Sequence, residues 1–282
     1  RGNARRKSSL QPAHLRRRLR KPSFMQAELL MIGTELLLGQ IEDTNAAYLA
    51  RGLAAAGVNL FWKTTVGDNP ARITEALRAG LDRSDAVLCS GGLGPTVDDI
   101  TRECVAETLN APLEYHEDLY QVIVDRFRSF NRPITENNRR QACLPRDAAP
   151  IANLNGTAPG IIAESGNRVI ICMPGVPVEL KAMFDGVVIP YLQWKYAIHE
   201  TIHYRVLRVR NVGESRVDYA IADLIERQAN PTIGLLASPG LVRVRITAKA
   251  PSVESARMLI EPLEKKIRKR LESLTDAIDV EE

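Results

Sequence analysis

Apolar positions recur in two rhythms along this chain. From Met25, short wholly apolar runs alternate with stretches of period near 3.6 residues, and most runs end at glycine or proline. Residues 27–32 (AELLMI) read as a buried strand ending at Gly33. Residues 44–56 read as a helix, with Asp43 or Thr44 as its cap and Gly57 as its stop. Residues 58–66, rich in β-branched and aromatic side chains, form a second strand, and 71–81 a helix opened by Pro70. Residues 85–90 (DAVLCS) have the continuous apolar character of a central parallel strand. A glycine-rich stretch, 91–99 (GGLGPTVDD), follows, and then a helix over 98–109. Further helices are expected over 116–130, 135–142, 176–184 and 189–196, with a hairpin of 161–163 and 168–172 around Ser165-Gly166-Asn167. This β-α-β-α-β-α order predicts right-handed crossovers and an α/β fold with a doubly wound, mostly parallel sheet.

The rhythm changes near residue 200. Residues 203–210 (HYRVLRVR) alternate with period two, 214–228 are amphipathic, 233–237 and 241–250 are strands joined through Ser238-Pro239-Gly240, and 252–274 form a charged amphipathic helix. That β-α-β-β-α order predicts a small α+β domain. The expected division is a basic disordered tail (1–24), an α/β domain (25–198), an α+β domain (199–276) and a short tail (277–282).

Charge refines this picture. The 282-residue chain has a formal charge of +4, but residues 1–24 hold nine of its lysines and arginines and no acid, leaving −5 for residues 25–282. Overall basicity is therefore no argument for a nucleic-acid partner. The segment 1–24 lacks the apolar stretch of a secretory signal and reads as a tail, as translated sequence ahead of a start at Met25, or as an Arg-rich transit peptide. No apolar run is long enough to span a bilayer, so no membrane partner is expected. None of the four cysteines (Cys89, Cys104, Cys143, Cys172) lies in a C-x-x-C pair, which points to a reducing, cytoplasmic setting. The four histidines are scattered, and no Ser-His-Asp or Cys-His arrangement is evident.

Ligands of open α/β sheets bind beyond the carboxyl ends of the strands. After the first strand come Gly33, Glu35, Asp43, Thr44 and Asn45; after the second, Asp68; after the third, the 91–99 stretch; after 168–172, Gly175, Pro177 and Glu179. Gly91, Gly92, Leu93, Gly94, Pro95 and Thr96 suit a phosphate cradle, because glycines permit close backbone approach and successive N–H groups form an anion nest. The following helix would add its positive end. Asp98 and Asp99 would repel a phosphate unless a divalent cation bridged them to it. The plain alternative is a tight turn with acids favouring a helix start. Asp68 and Asp98, at neighbouring strand ends, are the expected catalytic pair, with Glu35 or Glu179 as other candidates for handling water. Asn155, in the rigid NGTAPG turn (155–160), is placed to line the pocket, or the turn simply shapes the backbone.

At these residues the chain resembles the CinA (competence/damage-inducible protein A) family. The matching stretches are GTELLLGQIEDTNAAYLA (33–50), VGDN (66–69), GGLGPTVDD (91–99), NGTAPG (155–160) and PGVPVEL (174–180). The first domain resembles the molybdopterin-binding (MoaB/MogA-type) fold, and residues 201–274, with GESRVDYAIADL, NPTIGLLA and VRITAKA, resemble the KH-like domain that follows it. The resemblance implies an ADP-ribose pyrophosphatase that releases AMP and ribose 5-phosphate in pyridine-nucleotide recycling. It implies a divalent cation (Mg²⁺ or a similar transition metal ion), optionally a monovalent cation, and a nucleoside-diphosphate substrate. Many members carry a further nicotinamide-nucleotide amidase domain; no amidase activity is expected from this chain.

Two other readings stand beside this one. The same loop would serve pterin binding or nucleotidyl transfer, as in molybdenum-cofactor enzymes. A KH-like domain could bind RNA through a GXXG loop, but the stretch Val212-Gly213-Glu214-Ser215-Arg216 lacks the second glycine and carries an acid. Arg205, Arg208, Arg210, Arg243 and Arg245 read as solvated strand faces, and exposed strands in this domain suggest a homodimer.

Overall fold

The structure, a computed structural model, describes residues 25–275 and 277–281. The basic stretch 1–24 lies outside the described residues. In chain order the elements are β1 (Gln26–Ile32), α1 (Thr34–Leu37), α2 (Thr44–Ala55), β2 (Asn59–Val66), α3 (Pro70–Arg83), β3 (Ala86–Ser90), α4 (Thr101–Leu109), β4 (Leu113–Tyr115), α5 (Glu117–Ser129), a 3₁₀ segment (Glu136–Ala142), β5 (Cys143–Pro145), β6 (Ala149–Ile151), β7 (Gly160–Ser165), β8 (Arg168–Met173), α6 (Pro177–Met183), a π turn (Phe184–Val188) and α7 (Ile189–Lys195). The second domain contributes β9 (Thr201–Arg210), α8 (Glu214–Glu226), β10 (Thr232–Ser238), β11 (Leu241–Ala250), α9 (Val253–Leu271) and β12 (Ile278–Glu281).

The first sheet runs β2-β1-β3-β8-β7-β6. Its first four strands are parallel, and β7 and β6 close the edge antiparallel. The mostly parallel α/β architecture is thus as the apolar pattern predicts. Alternate side chains divide between two cores. Leu29, Met31, Leu88, Ile171 and Met173 pack with α2, α6 and α7, whereas Leu30, Ile32, Cys89, Ile170 and Cys172 pack with α3 and α4. Burial on both faces is why these strands read as continuous apolar runs. The one charged intruder, Glu28, is 1% exposed and satisfied by the Arg83 guanidinium (2.6 and 2.8 Å) and the Thr64 hydroxyl (3.0 Å).

Chain order reverses at β1: β2 lies on one side of it and β3 on the other. The loops leaving β1 and β3 therefore diverge and open a crevice at their carboxyl ends, the switch point where such sheets bind ligands.

The helix expected over 98–109 begins instead at Thr101, with Ile100 as its cap residue. Asp98 and Asp99 belong to the loop, because Thr96 takes both carboxylates as hydrogen-bond partners. The helices expected over 176–184 and 189–196 are joined through the π turn. Pro190 lacks an N–H and would clash with the carbonyl four residues back in a regular helix; the wider turn relieves this.

The second domain is an antiparallel sheet, β10-β11-β9-β12, with α8 and α9 packed on its Leu207, Val209, Val244 and Ile246 side chains. Within the stretch expected as a tail, residues 278–281 form a strand: β12 pairs antiparallel with β9, and Arg208 grips Asp279 through two 2.9 Å hydrogen bonds. The domains meet at the end of α2, where the Thr201 hydroxyl donates to Ala55 O and Lys249 Nζ to Gly57 O, both at 2.8 Å. Among the described residues no helix is long and apolar enough to cross a membrane.

Phe184, fully buried at the π turn, stands edge-on to Tyr48 with ring centroids 6.1 Å apart. Phe184→Ala is expected to cost about 3–5 kcal/mol through the cavity it leaves, read as a lowered denaturation midpoint.

Candidate functional site

The loop after β3 is shaped by contacts behind it. Gly91 and Gly92 have φ of 110° and 68°, in the left-handed region. A Cβ on Gly91 would stand 2.1 Å from Ile32 O, and one on Gly92 2.1 Å from Thr101 Oγ1, so no side chain fits either position. Thr101 ties the loop to the start of α4: its hydroxyl donates to Gly91 O (2.8 Å) and its N–H to Gly92 O (3.1 Å). Arg102, 2% exposed, lies underneath and donates from Nη2 to Leu93 O and, at 3.2 Å, to Gly94 O. Burial lowers the pKa of this guanidinium, but an arginine stays charged, so a positive charge sits directly below the loop. Arg140 clamps the far end through Thr96 O and Glu103 (2.8 Å). With four successive carbonyls engaged, the N–H groups of Gly92, Leu93 and Gly94 have no protein acceptor among the described residues. Successive N–H groups left unpaired in this way could receive an anion, as in a backbone nest.

A cavity of about 360 Å³ opens in front of this loop. Gly33, Glu35, Asp68, Gly91, Gly92, Leu93, Gly94, Pro95, Asp98, Asp99, Gly175 and Glu179 all line it. Four of these five carboxylates, all but Glu35, accept hydrogen bonds from a neighbour. Asp68 Oδ2 accepts from the Thr34 N–H (2.9 Å) and hydroxyl (2.8 Å), at the first turn of α1. Glu35 folds back over Gly33, where a Cβ would meet its carboxylate at 2.5 Å. Glu179 accepts from Asn153 Nδ2 (2.7 Å) and lies against Gly156. Asp98 Oδ1 and Asp99 Oδ2 both stand 2.5 Å from Thr96 Oγ1, and the Thr96 N–H donates to Asp99 at 2.9 Å. A hydroxyl has one proton, so two adjacent carboxylates compete for it. The Thr96 hydrogen bond holds the Asp98 carboxyl below the usual carboxylate range.

Some expectations are revised by this geometry. Asp68 and Asp98 line one cavity, yet their strands are not neighbours: β1 lies between β2 and β3. The Thr96 hydroxyl serves Asp98 and Asp99 and does not line the cavity. Thr44, Asn45, Asp43 and Pro177 line a smaller cavity of about 110 Å³, which shares Glu35 and Gly175 with the larger one. Asp43 caps α2 through Ala46 N–H (2.9 Å) and pairs with Lys63 (2.9 Å). Asn45 holds Gly175 O at 2.7 Å and so positions the turn after β8. Asn155 lines neither cavity; it donates to Val178 O (3.3 Å), while Asn153, two residues earlier, reaches Glu179.

Arg102, Gln141 and Asn153 escape sequence reading. Arg102 carries a signal: Arg102, Val105, Ala106 and Leu109 share the inward face of α4, and an arginine in that row needs a buried partner. A third cavity, about 380 Å³, adjoins the site and shares Thr157 with it; its walls include Leu119, Val122, Ile123, Pro150 and Arg126.

Oxygen donors of this kind suit a hard divalent cation. Among the described residues no three His, Cys, Asp or Glu side chains are gathered into a cage.

Gly91→Ala is expected to lower stability by more than about 1 kcal/mol and abolish binding at the loop, measured by denaturation and phosphate titration. The depressed Asp98 pKa means that its hydrogen bond contributes above the carboxyl's ordinary pKa and is lost as pH falls through the depressed value. Thr96→Val removes the donor, so carboxyl NMR should find Asp98 titrating at higher pH, back toward the ordinary range.

Known proteins carry the same plan. Residues 28–194 match the family described as "Probable molybdopterin binding domain", and residues 204–275 the "Damage-inducible protein CinA KH domain". A competence-damage inducible protein of Clostridium novyi is 44% identical over 247 residues, covering 88% of this chain and 59% of that protein. A CinA-like protein of Dictyoglomus thermophilum is 46% identical, covering 88% of this chain and 60% of that one. The chain thus spans about three fifths of these curated relatives. The crystal structure of the protein CinA from Thermoplasma acidophilum is 34% identical, with a TM-score of 0.55, covering 58% of this chain and 96% of that one. With both domain families matched in this order, the chain belongs to the CinA family.

Proposed function

We propose that the cavity at the β1–β3 switch point binds a nucleoside diphosphate sugar, with ADP-ribose as the substrate, and hydrolyses its diphosphate bridge with a divalent cation. The observation that carries this reading is the juxtaposition of an anion nest and five carboxylates around one cavity. A nest alone would suit any anion. Carboxylates beside it disfavour a bare phosphate and support a phosphate–cation pair. The adjoining cavity with apolar walls, reached across Thr157, suits a planar base and favours a nucleotide over inorganic phosphate.

The roles follow from position. The N–H groups of Gly92, Leu93 and Gly94 hold phosphoryl oxygens, backed by Arg102. Asp98 and Asp99 would hold the cation, which supplies charge neutralisation and lowers the pKa of water when bound. Asp68, Glu35 and Glu179 stand around the remaining wall to orient water and take its proton. The water oxygen bonds to phosphorus as the bridging P–O bond breaks, giving AMP and ribose 5-phosphate.

Pterin binding with nucleotidyl transfer is the second reading, favoured by the description of the matched domain family. RNA binding has less support. Arg205 and Arg208 pair with Glu264 and Asp279, and Arg245 stacks 4.2 Å over Tyr204, so these cations already have partners.

Incubation with ADP-ribose and Mg²⁺, Mn²⁺ or Co²⁺ is expected to give AMP and ribose 5-phosphate, with no product in chelator. Asp98→Asn and Asp68→Asn should each lower turnover at least about 100-fold with an unchanged melting temperature. Near-full metal-dependent turnover by Asp98→Asn would overturn the assignment, and adenylation of a pterin without ADP-ribose cleavage would favour the second reading.

A further inference from the structure

The 3₁₀ segment Glu136–Ala142 places Gln141 at the wall of the site cavity, 1% exposed. Its amide nitrogen Nε2 is buried and has no hydrogen-bond partner. Amide orientation is often ambiguous, since nitrogen and oxygen look alike. Here a chain of hydrogen bonds fixes it. The Thr135 backbone N–H can only donate, and it meets Asn138 Oδ1 at 3.0 Å; the Thr135 hydroxyl meets the same atom at 2.9 Å. Asn138 therefore turns its Nδ2 the other way and donates to Gln141 Oε1 at 3.0 Å. Gln141, a residue of the cavity wall, has its acceptor satisfied and is left with a buried NH₂ group that has no partner among the described residues.

A buried N–H donor is rarely left unpaired unless something supplies its acceptor. The same cavity is lined by Gly92, Leu93 and Gly94, whose N–H groups are also without protein acceptors among the described residues. Unpaired donors from two elements around one cavity suit an oxygen-rich anion.

We propose that Gln141 is a ligand-binding residue whose Nε2 donates to a non-bridging phosphoryl oxygen of the group seated on the 92–94 nest, and that Asn138 acts as a positioning residue that aims this donor. The assignment rests on the phosphate reading of the site given above. The relay also yields a signature that ordinary packing would not produce. Asn138→Asp keeps an acceptor for Thr135 but, when ionised, cannot donate to Gln141 Oε1. The Gln141 amide then gains by flipping, which turns its oxygen toward the phosphate.

The test is calorimetric titration of the whole chain with inorganic pyrophosphate and with AMP, each with Mg²⁺. Gln141→Met, of similar length but with no donor, is expected to weaken pyrophosphate binding roughly tenfold or more, with a modestly lowered melting temperature because Asn138 Nδ2 loses its acceptor. Asn138→Asp should weaken it comparably at neutral pH and recover relative to wild type as pH falls through the aspartate's titration. In wild-type protein, pyrophosphate should shift the Gln141 side-chain NH₂ resonances in ¹⁵N NMR, a measurement that does not depend on how well the variants fold. If wild type binds pyrophosphate while both variants match it within about twofold and the Gln141 resonances stay put, this inference fails and the phosphate reading stands. If wild type binds neither ligand, the phosphate reading fails and takes this inference with it.

Discussion

Beneath the glycine loop lies a guanidinium that is 2% exposed, and the organisation of the site depends on it. A buried arginine needs acceptors, and the nearest are the carbonyls of Leu93 and Gly94. Drawing those carbonyls inward requires the backbone to turn sharply at Gly91 and Gly92, where only glycine fits. The same turn leaves three successive N–H groups at the cavity. One buried charge thus connects core packing, backbone conformation and anion affinity. The carboxylates around the cavity would oppose that affinity, which is why the proposed ligand is a phosphate paired with a cation rather than a bare phosphate.

The sheet supplies the place. Reversal of chain order at β1 separates the loops after β1 and β3, and hydrogen bonds tie their bases to the sheet: Gly33 N–H to Val66 O and Gly91 N–H to Met173 O, each at 3.0 Å. Neighbouring elements then aim side chains at the crevice. Asn45 steadies Gly175, Asn153 steadies Glu179 and Thr34 steadies Asp68. These supports come from regions far apart in sequence, so the site is present only when both flanking cores are packed.

Much of this was legible in the chain. Residues 27–32 and 85–90 are strands packed on both faces, and their apolar runs identify them directly; 168–172 reads only as one arm of a hairpin, and its place beside β3 is set by the sheet. The acids and glycines at the strand ends pointed to the crevice for the same reason. What escaped was relational. Asp98 and Asp99 look like helix-start acids, but Thr96 engages both, and the helix begins at Thr101. Strand order is not a local property, so β1 could not be placed between the strands that lead to Asp68 and Asp98. The four residues of β12 are too few to show a period, and Arg208 secures them from 71 positions away. Gln141 matters through a hydrogen-bond relay that has no counterpart in composition or spacing.

In the proposed reaction the N–H groups of residues 92–94 seat a diphosphate whose charge is shared with a cation at Asp98 and Asp99. The most direct measurement is a crystal structure of the chain with Mn²⁺ and a methylene-bridged ADP-ribose analogue that cannot be cleaved. The account predicts phosphoryl oxygens within hydrogen-bond distance of the Gly92, Leu93 and Gly94 N–H groups, with Mn²⁺ anomalous signal between them and the Asp98–Asp99 carboxylates. A diphosphate bound elsewhere with the nest occupied only by water, or Mn²⁺ held away from both aspartates, would contradict it.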